Sequence, residues 1–463
     1  MLDIDFTLTP ERLVSQIDTL FSLSAVKINA LQKRWDASRG TPVFTVRGEY
    51  TSRGWTEWTQ GFQFGSALLQ FDVTGDQTFL AIGREATVKY MATHVSHTGV
   101  HDHGFNNIST YGNLLRLMNE RRIPENAWER VFYALALKVS GAVQAARWTN
   151  LGNGEGYIYS FNGPHSLFAD TVRSLRALAV AYQLGHVLMG EKDRRISLLE
   201  RLILHAEATA KYNVYFGKGR DAYDVRGRVV HESIFNVNDG SYRCPSTQQG
   251  YSPFSTWTRG HAWILCGYAE QLEFLDTLPA DAFAYGASKE AVMAECMNTA
   301  TAVADFYLAQ TPLDGIPYWD TGAPGLAHMG DYLNRPAEPF NNYEPVDSSA
   351  GAIAAQGLIR LGRFLAEKGS TEDGNRYFKA GLTVTRTLFG EPYLSADAKH
   401  EGLILHSVYH RPNGWDHVPD GRRVPCGEST MWGDYHAREL ALLVQRMATD
   451  RPYYRFFSTP PTP

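Results

Sequence analysis

The sequence predicts an all-α protein, and three observations carry that prediction. Apolar residues recur at helical spacing along nearly the whole chain. Several of the resulting helices are apolar almost all round, as helices enclosed by other helices must be. Long loops rich in glycine, proline and aromatic residues separate alternate helices, at 147–165, 217–258, 311–347 and 398–428.

Taken in order, ERLVSQIDTLFSLSAVKINALQKRW opens the series, with Leu13, Ile17, Leu20 and Phe21 on one face. GSALLQFDVTG, DQTFLAIGREATVKYMATHV, ISTYGNLLRLMNE and AWERVFYALALKVSGAVQAARW continue it. HSLFADTVRSLRALAVAYQLG, RRISLLERLILHAEATAKY and RGHAWILCGYAEQLEFLDTL follow. The C-terminal half adds AVMAECMNTATAVADFYLAQ, SSAGAIAAQGLIRLGRFLAEKG, GNRYFKAGLTVTRTLFG and TMWGDYHARELALLVQRMA. The total is roughly a dozen helices, well above the base rate of a mixed domain. LRALAVAYQLG and SSAGAIAAQGLI are the segments expected to be enclosed on all sides. Loops longer than about 15 residues in a compact domain are usually functional. Their alternation with short connections is expected if one end of the ring carries a site. No linker or charge block divides residues 1–463, which read as a single domain.

Composition narrows the function classes. The formal net charge of −5 leaves no basic footprint, so nucleic acid is not an expected partner. No stretch approaches 18 uninterrupted apolar residues, so no membrane span is expected. The N-terminus lacks the basic and apolar regions of a secretory signal. Cys244, Cys266, Cys296 and Cys426 form no CxxC and no zinc-type spacing, which suits a reducing compartment. The expected location is cytoplasmic.

Four segments carry residues capable of chemistry. In GVHDHGF, Asp102 stands between His101 and His103. The two histidines are i,i+2 with no obvious further ligands, which argues against metal. One is expected to bond Asp102 and keep it ionised, and the other to face solvent. In NGPHSLFADTVRSLR, Asn162-Gly163-Pro164 reads as a helix start, placing Asp170 about two turns in. Pairing with Arg173 at i+3 is the bland reading. Apolar flanks favour a buried carboxyl with a raised pKa, the property of a general acid.

In STQQGYSPFSTWTRGHAW, Trp257 and Trp263 offer flat faces to a sugar ring and Arg259 a fork for a carboxylate. In HEGLILHSVYHRP, His406 and His410 are i,i+4, but the segment alternates like a strand, which separates them by about 13 Å and discounts zinc. Asp434, in WGDYHARELALL, is as well suited to capping or pairing at a helix start as to catalysis. GNGEG lacks the setting of a phosphate loop, and no GxSxG is present.

HDHGF, FADTVRSLRALAVA, STWTRGHAW, VDSSAGAIAAQGLIRL and WGDYHARELALL occur in that order, across roughly residues 55–445. The set resembles the unsaturated glucuronyl hydrolase family, glycoside hydrolase family 88, and the related unsaturated rhamnogalacturonyl hydrolases. That resemblance implies an (α/α)6 barrel. It also implies removal of a 4,5-unsaturated uronic acid from the non-reducing end of small, lyase-generated oligosaccharides. The reaction hydrates the C4=C5 vinyl ether and leaves the anomeric carbon unattacked.

On this resemblance Asp170 matches the acid/base and Asp102 the second essential aspartate, with no metal and no organic cofactor. Trp257, Arg259 and Trp263 would line the pocket, and Ser407 would lie near the substrate's carboxylate or sulfate. Three positions depart from the family pattern. His261 replaces an amide that touches the sugar, Gln63 a stacking tryptophan, and Arg243 a histidine. They leave both aspartates untouched and bear on which uronide fits. Two alternatives share the toroid: another uronide glycosidase using two carboxylates, and a sugar epimerase of the N-acylglucosamine 2-epimerase type. The epimerase would draw on His101, His261 and His406 as bases. A sugar-binding protein without catalysis fits least, because both aspartates are present.

Overall fold

The computed structural model describes residues 1–54, 57–152, 154–283, 286–449 and 451–457. Twelve principal helices stand among them. α1 is Val14–Arg34, α2 Gln60–Thr74 and α3 Gln77–Tyr90. α4 begins at His103–Asn107 and runs through a wider turn into Asn113–Asn119. α5 is Ala127–Ala146. α6 begins at Thr171–Ser174 and resumes at Arg176–Gln183. α7 is Leu198–Asn213, α8 Thr258–Asp276 and α9 Lys289–Gln310. α10 is Ser348–Glu367, α11 Thr371–Leu388 and α12 Met431–Ala448.

The even-numbered helices form the inner ring and pack in the cycle α2–α4–α6–α8–α10–α12–α2. The odd-numbered helices lie outside them and bury one face each. This is an (α/α)6 barrel, and the sequence shows why. The residues predicted to be enclosed, such as Leu178 in α6 and Ile353 in α10, are fully buried in the inner ring. In the outer α1, Ile17, Leu20 and Phe21 are buried while Asp18 and Thr19 are exposed. A single continuous apolar core spans both rings.

Within the barrel the inner ring is fastened by buried charge. Arg173 of α6 meets Glu270 of α8 at 2.7 Å and Glu439 of α12 at 3.2 Å. Arg176 meets Glu439 at 3.3 Å, and Arg360 of α10 meets Glu273 at 2.8 Å. Arg173 therefore pairs across the ring, not with Asp170 as the local spacing suggested.

At one end of the ring every inner helix begins. Thr59, Asp102, Asp170, Trp257, Asp347 and Thr430 are the residues preceding α2, α4, α6, α8, α10 and α12. The long loops gather here and carry the short strands. β1 (Pro42–Val46) pairs with β2 (Glu49–Ser52), and β3 (Trp148–Gly152) with β4 (Glu155–Ile158). A three-stranded antiparallel sheet joins β5 (Ser166–Phe168), β6 (Glu232–Phe235) and β7 (Tyr242–Ser246), in the order β5-β6-β7.

β5 corrects the sequence reading of this region. The helix expected from Pro164 onward begins only at Thr171, because residues 166–168 pair with a strand more than 60 residues away. The segment 403–410 is likewise not a regular strand. Only Leu394 and Ile404 form a bridge, and His406 takes a left-handed backbone with φ +66°.

Candidate active site

The mouth ringed by the inner-helix N-termini holds a pocket of about 400 Å³. Three of the four long loops line it directly, through Phe161, through Gln248 and Gln249, and through Tyr409, His410 and Trp415. The loop at 311–347 supports it from behind, since Trp257 bridges to Asp320 and the Asp320 carboxylate accepts from Tyr251 N–H at 2.8 Å.

Asp102 and Asp170 both face the pocket, from the starts of adjacent inner helices. Their helices are drawn together at Gly104, where a Cβ would lie 2.1 Å from the Ser174 carbonyl oxygen. Gly104 N–H donates to Ser174 Oγ at 2.8 Å. Ser174 Oγ–H then donates to the His101 carbonyl at 2.7 Å, and Gln144 Nε2 to the same oxygen at 2.9 Å. These bonds fix the loop that presents His101 and Asp102. Phe105 anchors it from below, with its ring 4.8 Å from that of Trp263.

His101 lies between the carboxylates, its Nε2 3.3 Å from Asp170 Oδ2 and 3.7 Å from Asp102 Oδ1. Burial alone would raise both acids and lower the imidazole. The two carboxylates outweigh burial at His101 and raise its pKa. At Asp102 burial dominates, reinforced by the Asp170 charge, and the carboxyl is raised. At Asp170 burial is outweighed by the charge and hydrogen bond of His101, so its carboxyl is held below its usual range. The free site thus keeps its proton on the His101–Asp102 side. The expected order, with Asp170 raised and Asp102 kept ionised, is reversed because His101 sits closer to Asp170. The donor atoms of the trio lie within 4.8 Å of one another, so they can share one proton or hold one small cation. Among the described residues His406 and His410 belong to no such cluster. Asp170 Oδ1 has no partner among the described residues.

His103 does not face solvent. It is buried, bonded to Ser140 Oγ at 2.9 Å and to the His97 carbonyl at 2.9 Å.

Of the remaining predicted residues, Trp257, Arg259 and Trp263 line the pocket. Arg259, however, does not offer an empty fork. It donates to Asp347 at 2.8 Å, to the carbonyls of Val408 and Tyr409, and to Gln249 Oε1 at 3.0 Å. It lies between the rings of Trp257 and Trp432, at 4.6 and 4.9 Å. Its geometry orders the 408–410 loop and turns the Gln249 amide nitrogen outward.

Four expected contacts fall elsewhere. Gln63 points away from the mouth, into a small cavity beside Lys27 and Asp434. Arg243 lies with Cys244 on the outer sheet. His261 is buried against Phe306 and Tyr307, where burial pushes its pKa down to about 3. Ser407 bonds Ser348 at 2.9 Å beneath the loop and does not line the pocket. Asp434 is a buried pin, accepting from Tyr50 OH at 2.8 Å and from the Leu403 and Ile404 N–H groups.

Sequence reasoning missed several residues. Trp58 stacks on Trp432 at 5.0 Å and presents an aromatic wall five residues before Gln63. Glu57, beside it, is a third carboxyl in the pocket, and burial pushes it up to about 7. His231 accepts the N–H groups of Gln248 and Gln249 on Nδ1, at 3.1 and 3.3 Å, which leaves its proton on Nε2, without a partner among the described residues. Glu57 was hidden in an otherwise aromatic stretch. His231 lay in a loop with no motif around it.

Fold and pocket together define a class: an (α/α)6-barrel glycoside hydrolase with two buried carboxyls at the inner-helix N-termini. No family model matches the chain. It is 28% identical over 441 residues to an unsaturated glucuronyl hydrolase of Bacillus sp. (strain GL1), covering 93% of this chain and 97% of that one. An unsaturated chondroitin disaccharide hydrolase of Streptococcus pyogenes serotype M1 is 26% identical over 408 residues, covering 87% and 84%. The crystal structure of the Bacillus sp. GL1 unsaturated glucuronyl hydrolase superposes with a TM-score of 0.69 at 23% identity, over 92% of this chain and 96% of that one. Over nearly its whole length the chain is therefore similar to unsaturated glucuronyl hydrolases, the family that the five ordered motifs resemble.

Proposed function

We propose that this pocket hydrates the C4=C5 bond of a 4,5-unsaturated uronic acid at the non-reducing end of a small oligosaccharide. The observation that carries the reading is the Asp102–His101–Asp170 trio, two buried carboxyls of opposite protonation preference joined by one imidazole. The reaction needs one acid and one base in the same place.

Asp170 delivers a proton to C4, and water adds at C5 as the same carboxylate takes up the water's proton. The double bond is lost, the acid is regenerated, and the hemiketal opens to release the shortened sugar. In the free site the proton rests beside Asp102. A uronate anion entering the pocket raises the proton affinity of Asp170, and His101 Nε2, 3.3 Å away, supplies it. Six inner-helix N-termini converge on the mouth, which favours an anionic substrate. Trp58, Trp257 and Trp263 supply stacking faces, and Gln248 and Gln249 supply polar contacts. We assign residues 1–463 to one catalytic domain. Among the described residues no helix is long and apolar enough to cross a membrane. The four cysteines are free, which supports a cytoplasmic setting.

The alternatives lose ground on geometry. An epimerase built on His261 or His406 is disfavoured, because neither reaches the pocket. The nearest oxygens of the two aspartates lie within 4.8 Å, closer than the gap of about 6.5–9.5 Å that an inverting glycosidase needs for its water. A retaining glycosidase is separated by an isotope experiment. Reaction in ¹⁸O-water, frozen at once by borohydride reduction, labels C5 if the double bond is hydrated. Label at C1 would mean anomeric attack and overturn the proposal.

A further inference from the structure

Outer helices of a toroid normally turn a polar face to solvent. α5 does not. Its outward face exposes Trp128 (82%), Val131 (61%), Leu135 (57%) and Phe132 (41%), and its 20 residues include only three charges, Glu129, Arg130 and Lys138. Val139, Ala142 and Val143 are half-buried and continue the stripe toward the C-terminal end. Val88 of α3, 50% exposed, borders it one turn from Arg84, which meets Glu129 at 3.2 Å. A contiguous patch of this kind on a soluble protein marks an interaction surface.

The spacing of the stripe identifies its occupant. Positions 128, 131/132, 135, 138/139 and 142 follow the three-four repeat of a helix–helix seam. They are also symmetric about Leu135, which lies seven residues from both Trp128 and Ala142, and four from both Val131 and Val139. Residue size is not symmetric: Trp128 and Phe132 are bulky at one end, while Ala142 and Ala146 are small at the other. A second copy of α5 laid antiparallel, with Leu135 on the two-fold axis, sets Trp128 over Ala142 and Val131 against Val139. It also brings the Lys138 ammonium over the Phe132 ring. Such a surface is complementary to itself, as an isologous interface requires. The exposed side chains offer on the order of 500 Å² of apolar surface per copy, so the pair buries about 1,000 Å², at the threshold of a specific interface.

We propose that this protein forms a two-fold dimer through the outer face of α5. The interface lies behind the active site. The inner face of the same helix carries Ser140 and Gln144, which bond His103 and the His101 carbonyl.

The test is oligomeric mass by sedimentation velocity at low-micromolar concentration, with a symmetric crosslink to check the register. The full chain should run at about twice 51.8 kDa. Leu135→Glu should run as a folded monomer with an unchanged far-UV spectrum, as its exposure permits. In a Cys244→Ser background, Leu135→Cys should give a disulfide-linked dimer on oxidation, and Val26→Cys, similarly exposed but on α1, should not. A monomeric wild-type chain overturns the proposal, and one that floats with lipid vesicles assigns the face to a membrane surface instead. A dimer that survives Leu135→Glu, or one that fails to crosslink through Leu135→Cys, overturns the proposed interface.

Discussion

Glu57 is a pocket carboxyl whose titration falls near neutrality. Burial raises it from 4.5 to about 7, so it is neutral below that pH and anionic above it. A uronate then meets a new negative charge beside Asp102. KM for the substrate should rise as pH increases through about 7, and Glu57→Gln should remove that rise; an unchanged profile in the variant would count against this role. Both pocket aspartates, Asp102 and Asp170, were legible in the sequence because each stands in a distinctive motif. The lining residues were less so. Gln63 and His261 occupy inner helices, α2 and α8, where nearly every position is buried and the ring geometry decides which side chain reaches the mouth. Arg243 was carried to the outer sheet by strand pairing, which one sequence does not reveal.

At the scale of elements, the α4–α6 contact and the buried charges of the inner ring each make a prediction. Gly104→Ala would press a methyl group into the Ser174 carbonyl. Stability should fall by about 1–3 kcal/mol, and displacement of the His101 loop by about 1 Å should lower kcat/KM by about 100-fold. A variant with wild-type melting and kinetics would mean the two helices need no such close approach. Glu439 is buried; Arg176 and Arg173 outweigh that burial and hold its carboxyl well below the usual range. A depressed carboxylate contributes stability above its unfolded pKa and loses it as pH falls through the folded value. Glu439→Gln should therefore cost about 3–5 kcal/mol at neutral pH, because it takes a carboxylate charge away from two buried arginines. Denaturant unfolding at pH 7 and pH 3 checks both the size and the sign, since the difference from wild type should shrink in acid. The helices themselves were readable from apolar periodicity. The late start of α6 was not, since β5 depends on a partner far along the chain.

For the whole molecule, the ring architecture explains how separate segments become one site. Inner helices alternate with outer ones, so all six inner N-termini open on one face, and the loops reaching that face are the long ones. That alternation was visible in the sequence as loop lengths. The closure of the ring was visible only through the family resemblance, because no local pattern states that α12 packs on α2. The central claim is that this assembly removes a C4=C5 double bond using Asp170. Unsaturated uronyl disaccharides made by polysaccharide lyases absorb in the far ultraviolet through that bond, and absorbance can be followed directly on a broad panel of them. The wild-type protein should abolish the signal on at least one member of the panel, and Asp170→Asn should retain less than about 1% of that rate. A wild-type protein inert across the panel, or an Asp170→Asn variant with undiminished activity, would contradict the account.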